Sequence, residues 1–256
     1  MHGLAHTETG EGPAVVLLHG LSCHLGYWLR VIPHLAGLRV VALDFRGHGL
    51  SEHAGSYRFA DYEHDLFELL DGLGLDSAPV AGHSLGGYVA LSAATRSDRV
   101  ARVLAIDVKS DWTEDDEALA GRSGNASQRV EADREAALAR LAKSIAPVSL
   151  RADELETLAE RSLEPVEEGW LLRWDRRVLA SEPVDPFAFL PRVSCPVQVL
   201  AGAQSDVMPP ERARRFADAI PGAALELVED AGHHLELEAP ELVGRRIREL
   251  ALAGET

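Results

Sequence analysis

Six consecutive residues, Gly82-His83-Ser84-Leu85-Gly86-Gly87, hold a nucleophile in a spacing that can activate it. They fit G-x-S-x-G, the nucleophile elbow, in which the chain turns from strand to helix so sharply that the flanking positions must be almost free of side chain. Gly82 and Gly86 meet that demand, the strand-like Ala78-Pro79-Val80-Ala81 precedes them, and a helix-compatible Tyr88-Val89-Ala90-Leu91-Ser92-Ala93-Ala94 follows. Without those flanks the same letters would describe a glycine-rich turn with no chemistry. With them, Ser84 is the expected nucleophile. The peptide N–H of Leu85, at the start of the following helix, is expected to point toward an oxyanion at the carbon that Ser84 attacks.

A serine so placed needs a scaffold. Short apolar runs recur at Ala14 to Leu18, Leu38 to Leu43, Ala78 to Ala81, Val100 to Ile106, Val197 to Ala201 and Leu225 to Val228. Helical patterns lie between them, such as Ala213, Phe216, Ala217 and Ile220, or Val243, Ile247 and Leu250. This alternation predicts an α/β fold with a mostly parallel sheet and helices on both faces. From Lys109 to Pro191 the strand-like runs give way to charged, Ala/Leu-rich helical stretches, with stripes at Leu138, Leu141, Ala142 and Ile145 and at Leu155, Leu158 and Ala159. The reading is a helical cap, residues 109–190, inserted into a core formed by residues 1–108 and 191–256. Its tryptophans Trp112, Trp170 and Trp174 either line a substrate pocket or form the core of the cap.

With 256 residues and 46% hydrophobic content, the chain can bury one large core. Asp and Glu number 41 against 25 Lys and Arg, for a formal charge of -16, and no basic cluster interleaves with aromatics. That argues against nucleic acid as a partner and disfavours polyanionic substrates. Met1 to Gly12 lacks a basic region followed by an apolar one, and no stretch is long enough for a membrane span, so a cytoplasmic protein is expected. Cys23 and Cys195 have no disulfide-scaffold or metal-type spacing and read as reduced thiols, Cys195 at the start of a buried strand. No H-E-x-x-H pattern and no nucleotide-type glycine loop is present. Oligomeric state is not legible.

Around the elbow stand His19-Gly20 after the first long apolar run, Asp44-Phe45-Arg46-Gly47-His48-Gly49-Leu50-Ser51 after the second, and Gly232-His233 after the last. Together these segments resemble the α/β-hydrolase superfamily from about Glu11 to Leu250, and within it the small capped serine esterases. Epoxide hydrolases and haloalkane dehalogenases of that superfamily carry aspartate where Ser84 stands. The resemblance implies an acyl-enzyme on Ser84, with His233 as the base and His234 as its alternative. It leaves two candidates for the triad acid. Asp206 follows Gly202 one place later than in many relatives, where this chain has Ser205, and Asp107 ends the run Val103 to Ile106. Leu21 supplies the second oxyanion N–H, His19 and Trp28 shape its loop, and Arg46 to Gly49 form a tight turn nearby. His83, His48 and His64 receive structural or solvent roles. The implied activity is hydrolysis of a small-molecule carboxylic ester with no cofactor and no metal. A carbon–carbon hydrolase or lyase, or a small-molecule receptor of the same fold, are the alternatives.

Overall fold

A computed structural model describes residues 3–111, 118, 121, 122, 124, 126–180 and 185–253. Its strands are β1 (His6–Thr9), β2 (Ala14–Leu18), β3 (Arg39–Leu43), β4 (Ala78–His83), β5 (Val100–Ile106), β6 (Leu163–Val166), β7 (Gly169–Leu172), β8 (Val197–Gly202) and β9 (Ala224–Val228). Seven of them form one sheet in the order β1-β3-β2-β4-β5-β8-β9. All neighbours in it are parallel except β1, which runs antiparallel to β3 with His6 opposite Leu43.

The apolar runs are continuous because both faces of the sheet are covered. Val16 and Leu18 of β2 enter one hydrophobic cluster, with Leu66 and Leu69 of α1 (Phe59–Gly72), Val89 of α2 (Leu85–Ala94) and Phe216 of α5 (Pro210–Asp218). Val15 and Leu17 enter the opposite cluster, with Trp28 and with Val243 and Ile247 of α7 (Pro240–Leu252). Each such side chain contributes roughly 1.5–3 kcal/mol by leaving water. Helix α2 is buried along its whole length, which its Ala, Gly, Leu and Val content permits on every side.

Three features depart from the sequence reading. Strand β1 was not expected, because His6-Thr7-Glu8-Thr9 is a polar, half-exposed edge with no apolar run. The segment between β5 and β8 contains the expected helices α3 (Arg134–Ser144) and α4 (Ala152–Ser162), but also the hairpin β6–β7, whose four-residue strands are too short to stand out. Cys195 is half-buried and precedes β8, which starts at Val197. Among the described residues no helix is long and apolar enough to cross a membrane.

The inserted segment has its own hydrophobic cluster. Ala137, Leu141, Ile145, Leu158 and Leu172 pack on Cys23 and Tyr27 after β2, and on Leu237 of α6 (Leu235–Glu238). Polar ties reinforce this docking. Arg30 donates to both oxygens of the buried Glu154, at 2.9 and 2.7 Å, and to the carbonyls of Leu237 and Ser149 at 2.6 and 2.9 Å. The hydrogen bond from Arg30 pulls the Glu154 carboxyl down from 4.5 to about 2.

A carboxyl depressed by folding adds stability above its unfolded value and loses it as the pH falls through the folded value. The contribution of Glu154 is therefore present above about pH 4.5 and lost on the way to about pH 2. We expect the urea midpoint of the wild type to fall more steeply across that window than that of Glu154→Gln; parallel curves would show that the pair does not act in this way.

Candidate active site

β4 delivers the chain to Ser84, which adopts φ 49° and ψ −113° before α2 begins at Leu85. Such a backbone costs a non-glycine residue on the order of 1–3 kcal/mol and survives only where its surroundings over-determine it. They do so here. The Ser84 N–H donates to Ile106 O at 2.8 Å, and Ser84 O accepts from Tyr88 N at 3.1 Å. A Cβ on Gly86 would lie 2.3 Å from Leu18 O, and one on Gly82 would lie 2.3 Å from the Gly86 carbonyl. Both positions of the motif therefore require glycine because backbone passes against backbone.

The loop after β9 brings in His233. Its Nδ1 lies 2.7 Å from Oδ1 of Asp107, at the end of β5. An imidazole nitrogen facing a carboxylate carries the proton, leaving Nε2 as the basic atom. Asp107 is fully buried at φ 47°, and its carboxylate also accepts from Ser205 Oγ at 2.6 Å and from Gly202 N at 2.9 Å. Those partners satisfy a group that would otherwise be costly to bury.

The second candidate acid is placed differently. Asp206 is exposed, and the carboxylate that His233 pairs with is that of Asp107. Ser205 occupies the place beside the histidine loop instead, donating to Asp107 while its Oγ accepts from Val207 N and Met208 N at 3.1 Å each. Of the two carboxylates that the sequence left open, Asp107 is the one that faces the His233 ring. His234 is likewise turned away from Asp107, with its Nδ1 2.9 Å from Glu236 Oε1.

His19 is buried and neutral, held down to about 4 by burial. Its Nδ1–H donates to Gly20 O at 2.7 Å and its Nε2 accepts from Phe45 N at 3.0 Å, joining the loop after β2 to the loop after β3. Trp28 is fully buried beneath that loop. Among the described residues the peptide N–H groups of Leu21 and Leu85 donate to no protein acceptor. Gly20 lies against Ser84, its notional Cβ 3.3 Å from Ser84 Cβ. The turn at Gly47 is pinned by Asp175 N, which donates to Gly47 O at 2.8 Å, and Asp44 accepts from Leu25 N, Leu50 N and Arg161 Nη1 at 2.6, 2.9 and 3.0 Å.

A cavity of about 180 Å³ is lined by Gly20, Leu21, Tyr27, His83, His233 and His234, among others. A smaller one of about 50 Å³, sharing Ser22, Cys23 and Ser144 with it, is lined by Arg173 and Trp174 of the inserted segment. Trp174 is thus a wall of a cavity. Trp170 is half-buried, packs on the cluster of the inserted segment and pairs its backbone with Glu131. Trp112 lies outside the described residues. Cys23 is buried with its thiol raised well above its usual value by burial, which makes it a poor nucleophile.

The sequence reading missed a second polar layer. His83, given a structural or solvent role, has its ring 4.6 Å from that of His233 and donates from Nε2 to His233 O at 2.9 Å. Burial and the neighbouring His233 and His234 push it well below its usual value. Glu238 accepts from Gly232 N and His234 N at 2.9 and 3.0 Å, fixing the loop on both sides of His233. Glu236 is buried between His83 and His234 and holds His234 above its ordinary value despite the opposing effect of burial. The signal was the stretch His234-Leu235-Glu236-Leu237-Glu238, which alternates polar and apolar directly after His233.

The family model described as alpha/beta hydrolase fold matches residues 13–240. A putative carbamate hydrolase, RutD, of Agrobacterium fabrum is 27% identical and aligns over 100% of this chain and 99% of its own. The 2-heptyl-3-hydroxy-4-quinolone dioxygenase AqdC2 of Rhodococcus erythropolis is 42% identical, over 40% of this chain and 39% of its own. Among solved structures, E-2-(acetamidomethylene)succinate hydrolase superposes with a TM-score of 0.86 at 25% identity, covering 96% of this chain and 94% of that one. The chain belongs to the alpha/beta hydrolase fold family.

Proposed function

We propose that the protein is a serine hydrolase that cleaves small neutral carboxylic esters through an acyl-enzyme on Ser84. The observation that carries this reading is the pairing of His233 Nδ1 with the buried Asp107 at 2.7 Å, on the sheet edge where Ser84 is held at positive φ. Ser84 Oγ attacks the acyl carbonyl and passes its proton to His233 Nε2. Asp107 holds the ring in that tautomer and stabilises the imidazolium. The N–H groups of Leu21 and Leu85 receive the oxyanion. His233 then protonates the departing alkoxide, and water, activated by the same ring, releases the acid and restores Ser84.

Residues 109–190 act as the cap in this reading, and Trp174 and Arg173, which line the cavity of about 50 Å³, shape the substrate end of the cleft. A cavity of about 180 Å³ favours a small acyl group. Two relatives aligned along most of their length are named as hydrolases of a carbamate and of a substituted succinate, so carbamates and amides belong beside esters in the substrate panel.

A fluorophosphonate probe is expected to add once to the native protein and not to Ser84→Ala, read by intact mass. An equal adduct on the variant, or none on either, would remove the acyl-enzyme reading. Steady-state hydrolysis of short-chain p-nitrophenyl esters by Asp107→Asn is expected to drop by about 10⁴-fold in kcat, the scale seen when the histidine loses its orienting carboxylate. Asp206→Asn is expected to stay near wild type; the reverse order would transfer the acid role to Asp206.

A further inference from the structure

Beside His233 the side chains of His83, His234 and Glu236 converge, and one of their buried atoms lacks a partner. His83 Nε2–H donates to His233 O at 2.9 Å, so its Nδ1 presents a lone pair, and that lone pair faces Glu236 Oε1 at 3.5 Å. An acceptor faces an acceptor. Glu236 Oε1 is also 2.9 Å from His234 Nδ1, while Glu236 Oε2, buried with the rest of a side chain only 1% exposed, has no hydrogen-bond partner. A buried carboxyl oxygen left without a donor is costly, and nearly all such atoms in proteins are satisfied.

We propose that His83, His234 and Glu236 bind one divalent transition-metal ion of the Zn²⁺ class, and that the bound ion slows the reaction at the neighbouring His233. One donor atom from each residue lies within 4.8 Å of the other two. Around a tetrahedral Zn²⁺ the donors sit roughly 3.3 Å apart, given bonds of about 2.0–2.1 Å, so small side-chain rotations close the set. Two imidazoles and a carboxylate match the preference of this ion, and the cavity beside His83 and His234 leaves room for a water in the fourth position. The outer contact is already in place. A metal-bound histidine ordinarily donates its other ring N–H to a carbonyl or carboxylate, and His83 does so to His233 O.

The binding site stands on this geometry alone; the inhibitory effect rests on the hydrolase reading. The His83 ring is 4.6 Å from the His233 ring, so a divalent charge at the site opposes the imidazolium that His233 must form in the transition state.

The full chain, stripped with a chelator, is titrated with Zn²⁺ by calorimetry and with Co²⁺ by visible absorption. One ion per chain and the intense visible band of four-coordinate Co²⁺ are expected. His234→Ala and Glu236→Gln should each weaken binding by about 10–100-fold or more, since even outer-shell changes have effects of that size, whereas Ser84→Ala should bind as the wild type does. No saturable binding, a weak six-coordinate Co²⁺ spectrum, or unchanged affinity in both folded variants would overturn the site. The wild-type spectrum decides if either variant fails to fold. Zn²⁺ that binds here without slowing ester hydrolysis would remove the inhibitory role and leave the site. A chain that binds Zn²⁺ but hydrolyses no acyl substrate would count against the hydrolase reading only.

Discussion

The constraint on which the structure depends is the contact of backbone with backbone at the elbow. For Ser84 to stand at the edge of the sheet, α2 must start within one residue of the end of β4, and its first turn must pass against β2. There is no space for a side chain at Gly86, whose Cβ would fall 2.3 Å from Leu18 O, or at Gly82. Once that contact is made, the position of α2 over the sheet is fixed, and its uniformly small and apolar residues follow from being enclosed on all sides. The strain at Ser84 is tolerated because Ile106 O and Tyr88 N hold the residue from both strand and helix.

Parallel strands do the rest of the positioning. β4, β5 and β9 end at one edge of the sheet, so Ser84, Asp107 and His233 arrive there from distant parts of the chain without long excursions. This is where ligands bind in open parallel sheets generally. Asp107 itself takes a positive φ directly after β5, and its N–H still donates to Leu200 O at 2.8 Å, so the turn that presents its carboxylate is anchored to β8. Ser205 and Gly202 then fill the remaining acceptor positions. The penultimate strand end contributes a hydroxyl and a peptide N–H to the acid instead of an acid of its own.

What the sequence made legible and what it did not divides along physical lines. Long apolar runs and stripes at helical spacing report burial, and those of β2, β3, β5, α5 and α7 sit where the pattern puts them. The elbow was legible because its glycines answer to local sterics. β1 was not, because an edge strand made of His, Thr and Glu is held by ladder hydrogen bonds that carry no hydropathy signal. The hairpin β6–β7 was hidden for a related reason, being four residues on each side of a Glu167-Glu168 turn within a charged segment. Which of Asp107 and Asp206 faces the His233 ring depends on which side chain points inward at a loop, a matter of a single residue's backbone that spacing does not encode.

The histidine loop shows how two polar arrangements coexist in one short stretch. Successive residues after β9 project to different sides, so the His233 ring meets Asp107 while the His234 ring meets Glu236. Glu238 closes the stretch on itself by accepting the N–H groups of Gly232 and His234, and His83 reaches across from the elbow to the carbonyl of His233. The loop is therefore held by its own downstream carboxylate and by the residue next to Ser84. Such a frame fixes the position of the His233 ring. Glu236 meets the His234 ring while Glu238 takes the N–H groups of Gly232 and His234, so the two glutamates have separate partners two residues apart.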